Sequence, residues 1–169
     1  TVLAYISRDG GKSFHFRSEI ASKVTVLKRW PTIEGPNEND VVVLPNRSVL
    51  CIMRKDGGDG HVHPGVHGPH VPYLFATSND VALTWTLQEA PPFMLSARPR
   101  AVALGNGAIL VAGGRPALNF WVSVDSAASW EVADIPTEHN MHVTDEYKFC
   151  PQFQHANVTL DWSESSCYT

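Results

Sequence analysis

The sequence predicts an all-β architecture, and three observations carry that prediction. Helical periodicity is poor throughout the 169 residues. Short runs rich in Val, Ile, Phe, Tyr and Trp alternate with clusters of Gly, Pro, Asn and Asp, the pattern of strands punctuated by turns. One octapeptide also returns three times: SRDGGKSF at 7–14, SNDVALTW at 78–85 and SVDSAASW at 123–130. The shared pattern is Ser-x-Asp-x-(Gly or Ala)-x-(Ser or Thr)-(Phe or Trp).

Residues 1–6 already read as a strand. Further strands are expected over 41–44, 49–54, 73–78, 84–89, 101–104, 109–112, 119–124 and 129–135. Pro45-Asn46-Arg47-Ser48 makes a turn between the first two of these, and Gly105-Asn106-Gly107 does the same between 101–104 and 109–112, since glycine takes positive φ without a steric penalty. Each octapeptide follows an apolar strand and precedes another, so each marks a hairpin turn. Its Ser and Asp side chains can bond the backbone groups of a tight turn. Its glycine position suits a residue of unusual φ, and its aromatic opens the next strand and can pack inward. Ala82 and Ala127 stand at the glycine position of the second and third copies, so those two turns are expected to be less demanding or slightly altered. Repeats on this scale, four short strands each, imply blades of a β-propeller, about three of them here. Three coincidental hairpins in a sandwich is the alternative, and in-register copies weigh against it.

Composition narrows the function classes. Charged residues make up 18% of the chain and the net charge is −4, with no basic stripe to release counterions from a nucleic acid. No apolar run reaches the length of a membrane span. There is no signal peptide, the chain opens mid-strand without a start methionine and stops at Tyr168-Thr169, so a fragment or processed piece of a longer chain is expected. Of the three cysteines, Cys150 and Cys167 could pair, while Cys51 lies in an apolar run and reads as a buried thiol. Sequons at Asn46 and Asn157, with that possible disulfide, lean towards an extracellular or secretory-pathway protein.

The octapeptides resemble the Asp boxes of the sialidase (neuraminidase) superfamily; the first matches fully and the others at all but the glycine. Asp boxes also occur in non-enzymatic propellers, so they bear on fold more than on activity. The stretch from Glu38-Asn39-Asp40 through Val41–Leu44, a turn, and Val49 to Arg54 is similar to a sialidase segment in which a Glu precedes the first strand of a blade and an Arg ends the second. Ala101–Leu104 through Gly113-Gly114-Arg115 repeats that hairpin, again ending in Arg. Ser165-Ser166-Cys167-Tyr168-Thr169 resembles the run around the family's nucleophilic tyrosine. The resemblance implies that residues 1–169 are part of a six-bladed sialidase-like propeller of an exo-acting retaining glycoside hydrolase for terminal sialic or related acidic sugars.

That chemistry suits these residue types. Planar guanidiniums bind a carboxylate bidentately, and the family uses three. Arg54 and Arg115 match two by position, with Arg98 and Arg100 as backups on the same face. Sialidases use a tyrosine where most glycosidases use a carboxylate. A phenol of pKa about 10 is a poor nucleophile unless a neighbouring carboxylate takes its proton. Tyr168 is the expected nucleophile and Glu38 its base, with Tyr147 as a rival nucleophile. In a four-stranded meander, strand 1 starts and strand 2 ends on one face of the disc. Glu38, Arg54, Arg115 and Tyr168 therefore share a face, and the Asp boxes and Asn46 fall on the other.

The family's first arginine and acid/base aspartate have no counterpart; Asp56 and Asp59 lie on a plausible loop but do not match by position. The 169 residues alone are expected to be inactive, the activity belonging to the parent chain. His61, His63, His67 and His70 could bind a transition metal such as zinc, but their spacing matches no helical zinc motif. The reading adopted is a long loop over the substrate face whose imidazoles contact hydroxyls or tune a pH response. His139-Asn140 follows the last expected strand, either near the same rim or as a simple polar loop pair. No metal or cofactor is expected. The expected partners are a sialylated or acidic glycan and the rest of the propeller chain. The alternative function is a non-catalytic propeller that binds glycans or proteins, or a structural segment of an extracellular assembly.

Overall fold

The computed structural model describes residues 1–30, 35–55, 71–114 and 119–145. They form three antiparallel sheets and two short helices. Strands β1 (Val2–Ile6) and β2 (His15–Ala21) pair with each other, and the helix α1 (Lys23–Leu27) follows. Strands β3 (Asn39–Val43), β4 (Val49–Met53), β5 (Leu74–Ser78) and β6 (Thr86–Glu89) make a four-stranded meander in sequence order. Strands β7 (Arg100–Ala103), β8 (Ile109–Gly113), β9 (Asn119–Ser123) and β10 (Glu131–Ala133) repeat it, and the helix α2 (Ile135–His142) follows. None of the three sheets closes on itself. The all-β prediction holds at this level, and no described helix is long and apolar enough to cross a membrane.

The middle sheet is buried on both sides, which explains why β4 and β5 read as continuous apolar runs. Successive side chains of a strand point to opposite faces. Leu50, Ile52, Tyr73 and Phe75 pack with Ile109, Val111, Trp121 and Trp130 against the third sheet. Cys51, Met53, Leu74 and Ala76 pack with Val2, Ala4, Ile20, Ala21 and Val26 on the other side. Tyr73 meets Trp121 edge-on at 5.7 Å, and Phe75 meets Trp130 at 5.7 Å. Both geometries favour aromatic pairs over a flat stack. The first strands of the two large sheets adjoin, the Ala101 N–H donating to Asp40 Oδ2 at 3.0 Å.

The two predicted turns share one device. Asn46 Oδ1 accepts from the Ser48 N–H (3.0 Å) and hydroxyl (2.6 Å), and Asn106 Oδ1 accepts from the Ala108 N–H (3.1 Å). Arg47 and Gly107 both take positive φ, 69° and 86°.

All three octapeptides are hairpin turns between β1–β2, β5–β6 and β9–β10. In the first, Asp9 Oδ1 accepts from the Lys12 and Ser13 N–H groups, both at 3.0 Å, and Asp9 Oδ2 from the Ser13 hydroxyl at 2.6 Å. Ser7 Oγ donates to Asp9 at 2.8 Å and accepts from the Gly11 N–H at 2.8 Å. Asp80 repeats the set, and Asp125 repeats its bonds to Ser123 and Ser129, while the Ala128 N–H donates to the Asp125 carbonyl at 3.4 Å. The second and third turns are not altered as their sequences predict. Gly10 and Gly11 lie at φ 73° and 87°, and Val81/Ala82 (59°, 61°) and Ser126/Ala127 (59°, 70°) take the same left-handed pair. The side-chain bonds to Ser and Asp outweigh the left-handed penalty of about 1–2 kcal/mol per residue. The octapeptide aromatics also differ from expectation: Trp130 is buried, but Phe14 is 65% exposed, because no described sheet lies over that side of β1–β2.

Strand bounds agree with the prediction to within a few residues except at the end. The strand expected over 129–135 is only Glu131–Ala133. Asp134 then caps α2 by accepting from the Thr137 N–H at 3.1 Å, so the chain turns helical. His139 and Asn140, expected after the last strand either near the rim or as a polar loop pair, lie on this helix. The general expectation of no helix fails at α1 too. There Ser22 Oγ accepts from the Thr25 N–H (3.3 Å) while Thr25 Oγ1 accepts from the Ser22 N–H (2.8 Å), a reciprocal cap that stabilises a single turn.

Candidate functional site

Glu38 leads into β3 and Arg54 leaves β4. Their strands pair from Asn39 opposite Met53 to Val43 opposite Val49, so the residues just outside that ladder meet. The Arg54 N–H donates to the Glu38 carbonyl at 2.9 Å, and the Asn37 N–H to the Arg54 carbonyl at 3.0 Å. The side chains follow: Arg54 Nη1 donates to Glu38 Oε2 at 3.2 Å. The Arg54 side chain is only 9% exposed and that of Glu38 30%. A guanidinium this deeply buried requires a paired carboxylate.

A second arginine comes from the neighbouring sheet. Arg98 precedes β7, and its main-chain N–H donates to Glu38 Oε2 at 2.9 Å while its Nε lies 3.4 Å from Oε1. Its guanidinium side chain is 78% exposed. Glu38 thus draws Arg54 and Arg98 together at the ends of the strands. Arg100 sits exposed at the first position of β7. Arg115, Tyr168, Tyr147, Asp56, Asp59, Cys150, Cys167, Asn157 and the histidines from His61 to His70 lie outside the described residues.

The octapeptide turns are at the opposite end. Ser78 closes β5 opposite Val49, the residue that opens β4, whereas Arg54 leaves the far end of β4. The sequence placed Glu38 and Arg54 on one side and the turns on the other, and the strand registers agree.

One neighbour escaped the sequence reading. Tyr73 enters β5 at the same end of the sheet and is fully buried, its ring inside the core and its hydroxyl beside Ser96. Burial holds this phenol well above its ordinary pKa; the Ser96 hydroxyl and the Arg54 charge pull it down, and the Glu38 charge pushes it up. The hydroxyl meets no hydrogen-bond partner of good geometry among the described residues. Gly113 supplies the space: a Cβ there would stand 2.6 Å from Ser96 Oγ and 2.7 Å from the Tyr73 oxygen. The available signal was positional, a tyrosine at the start of a third strand, but tyrosine is also an ordinary strand former.

Lys55, next to Arg54, is buried as well. It pairs with Glu89 and lies 6.0 Å from the Trp30 ring. The Cys51 thiol is buried in the core, and burial pushes its pKa up to about 12, so it is inert. Among the described residues, no three His, Cys, Asp or Glu side chains gather as a metal site would require.

No protein-family model matches the chain, and no curated protein does. Fold and site together define a coarse class: an all-β protein of adjoining antiparallel meanders with two arginines gathered on one carboxylate at the strand ends.

Proposed function

We propose that this chain is part of a sialidase-like β-propeller, a retaining exo-glycosidase for terminal sialic or related acidic sugars in the extracellular or secretory space. The observation that carries the reading is the Glu38 carboxylate gathering Arg54 and Arg98 at strand ends, away from the Asp-box turns. Two sheets with adjoining first strands suit successive blades. Guanidiniums at their mouth suit a sugar carboxylate. Arg54 and Arg115 would hold that group, and Tyr168 would attack the anomeric carbon as the glycosidic bond to the aglycone oxygen breaks; Glu38 would accept the phenol's proton, and the aglycone would leave as its alcohol, protonated by an acid of the parent chain. The glycosyl–tyrosine bond then hydrolyses, which gives net retention.

A fluorogenic sialoside assay of the protein carrying this chain tests the reading. Tyr168→Phe is expected to abolish turnover; undiminished turnover rejects it. The second reading, a glycan-binding propeller without catalysis, is favoured by the engagement of both Glu38 oxygens with arginine donors. It predicts that sialoside binding survives Glu38→Gln, that Arg54→Ala abolishes it, and that the wild type hydrolyses nothing.

A further inference from the structure

The two seams between sheets are built on the same plan but are not equally filled. In the first, β2 faces the octapeptide at 78–85. The Ser18 hydroxyl donates to the Ala82 carbonyl at 2.7 Å and accepts from Trp85 Nε1–H at 2.9 Å, while Arg17 Nε reaches the Val81 carbonyl at 3.0 Å. In the second seam, β6 faces the octapeptide at 123–130, where Ala127 and Trp130 take the places of Ala82 and Trp85.

Strand pairing identifies the counterpart of Ser18. Ser18 pairs with Ala4, three residues before the octapeptide serine Ser7; Gln88 pairs with Phe75, three residues before Ser78. Gln88 does not make the bridge. Trp130 Nε1 is buried with no hydrogen-bond acceptor among the described residues. Glu89, the next residue, is engaged by Lys55. A cavity of about 460 Å³ lies where the first seam is closed, lined by Phe75, Gln88, Glu89, Pro91, Pro92 and Trp130, among others. That volume is in the range of small-molecule sites.

We infer that this second seam is a binding site for a neutral, polyhydroxylated ligand of the size of a single sugar ring. The chemistry of the missing group follows from the first seam, where one atom both donates to a carbonyl and accepts from an indole N–H. A carboxylate cannot donate, and an ammonium cannot accept; a hydroxyl does both. Among the described residues no cationic side chain lines the cavity, so they give no hold on an anion. The two prolines offer apolar surface to the C–H face of a sugar ring, and the Gln88 amide adds a donor and an acceptor. An orphaned indole N–H costs the free protein stability that a bound hydroxyl restores. This site is separate from the arginine cluster and does not depend on the catalytic reading.

The experiment is a titration of the ¹⁵N-labelled protein with methyl glucoside, methyl galactoside and methyl mannoside, following the tryptophan indole N–H resonances. Trp130→Phe identifies the Trp130 signal. The expected result is a saturable shift of that signal with at least one hexoside, half-complete at roughly 1–10 mM, the weak end of specific binding, while the Trp85 signal stays fixed. Gln88→Ala, at an exposed strand position, is expected to weaken the binding about fivefold without unfolding the protein, and it keeps the inference falsifiable where Trp130→Phe fails to fold. A Trp130 signal that does not move up to about 100 mM hexoside means water alone occupies the cavity and overturns the inference. So does a linear drift of all indole signals together, or an affinity that Gln88→Ala leaves unchanged.

Discussion

Glu38 Oε2 accepts the main-chain N–H of Arg98 at 2.9 Å, and Arg98 holds φ at +51°. The other described non-glycine residues of positive φ belong to hairpin turns: Arg47 to one, and Val81, Ala82, Ser126 and Ala127 to the octapeptides. Among the described non-glycine residues Arg98 alone takes this conformation on the approach to a strand. Strain outside a turn persists where its surroundings over-determine it, and here the carboxylate does so. The bent backbone brings the Arg98 guanidinium to Glu38 beside Arg54.

Arg98 therefore separates backbone strain from side-chain function. Arg98→Gly removes the Cβ penalty at φ +51° and is expected to leave stability equal to wild type or about 0.5–1 kcal/mol higher, while Arg98→Ala keeps the strain and gains nothing. Both lose the exposed guanidinium and, on the proposed sialidase-like reading, are expected to weaken binding of N-acetylneuraminic acid at least fivefold. Urea denaturation and calorimetric titration measure the two effects. Equal stability of the Gly and Ala variants would show that the strain carries no cost.

Removing the carboxylate has a different signature. Glu38→Ala leaves the buried Arg54 charge without this partner and is expected to cost about 2–4 kcal/mol. Glu38→Gln keeps an oxygen for the Arg98 N–H and is expected to cost about 1–2 kcal/mol. The order Ala, then Gln, then wild type in denaturant midpoint checks this. The Arg54–Glu38 double-mutant cycle should give a coupling of about 1–3 kcal/mol.

The cluster was partly legible in the sequence. Glu38 and Arg54 follow from strand order alone, because a residue before the first strand of a meander and one after the second must be neighbours. Arg98 was visible only as one of two spare arginines, since nothing in an arginine codon announces a left-handed backbone. Tyr73 was hidden in an apolar run. The strands were legible because β-branched and aromatic runs are bounded by turn residues. β2 was not among the separately delimited strands: its residues HFRSEIA mix charge and aromatics, and a register shift between Ala4 and Tyr5 breaks the alternation. The two helices are too short for a 3.6-residue period to register. Their caps, Ser22 with Thr25 and Asp134, were the signals available.

The octapeptide turns predict the acid limb of stability. Hydrogen bonds from Ser13, chiefly its hydroxyl and N–H, hold the Asp9 carboxyl down at about 2, and those from Ser129 hold Asp125 at about 2; Asp80, bonded by Thr84, is also held below its ordinary value. A carboxyl depressed in the folded state stabilises the fold above its unfolded pKa of about 3.9 and loses that contribution as pH falls towards the folded value. Thermal midpoints are thus expected to be flat above about pH 5 and to fall between about pH 4 and 2. Asp9→Asn with Asp125→Asn should lower the midpoint at pH 7 and flatten the fall below pH 4. An unchanged acid slope in that double variant counts against the assignment.

The same turns offer a stabilising change. Ala82 and Ala127 sit at φ 61° and 70°, where Gly11 sits in the first copy at 87°. Glycine relieves the Cβ clash but adds unfolded-state entropy, and the left-handed penalty is the larger of the two. Ala82→Gly and Ala127→Gly are each expected to gain up to about 1 kcal/mol, read as a higher urea midpoint at constant slope. Both alanines also pack against a core, Ala82 on the first sheet's side of the middle sheet and Ala127 between the two large sheets, so each gain should fall short of the full left-handed penalty.

Gly113 links the third sheet to the arginine cluster. It ends β8, and a Cβ added to it would lie 2.4 Å from Ser96 Cβ, 2.6 Å from Ser96 Oγ and 2.7 Å from the Tyr73 oxygen. Two of those atoms could move with a side chain, but Ser96 Cβ is fixed to the main chain two residues before Arg98. Gly113→Ala is therefore expected to push the 96–98 segment and to cost about 1–3 kcal/mol, the range for overpacking a filled site. It should also loosen Arg98 from Glu38 and so, on the proposed sialidase-like reading, weaken N-acetylneuraminic acid binding. Rescue distinguishes the cause. Ser96→Gly removes both Ser96 contacts and should restore most of the stability of Gly113→Ala, whereas Ser96→Ala keeps the 2.4 Å clash and should not. If both second substitutions rescue equally, the hydroxyl rather than the main-chain segment is what Gly113 accommodates, and the route from β8 to Arg98 is lost.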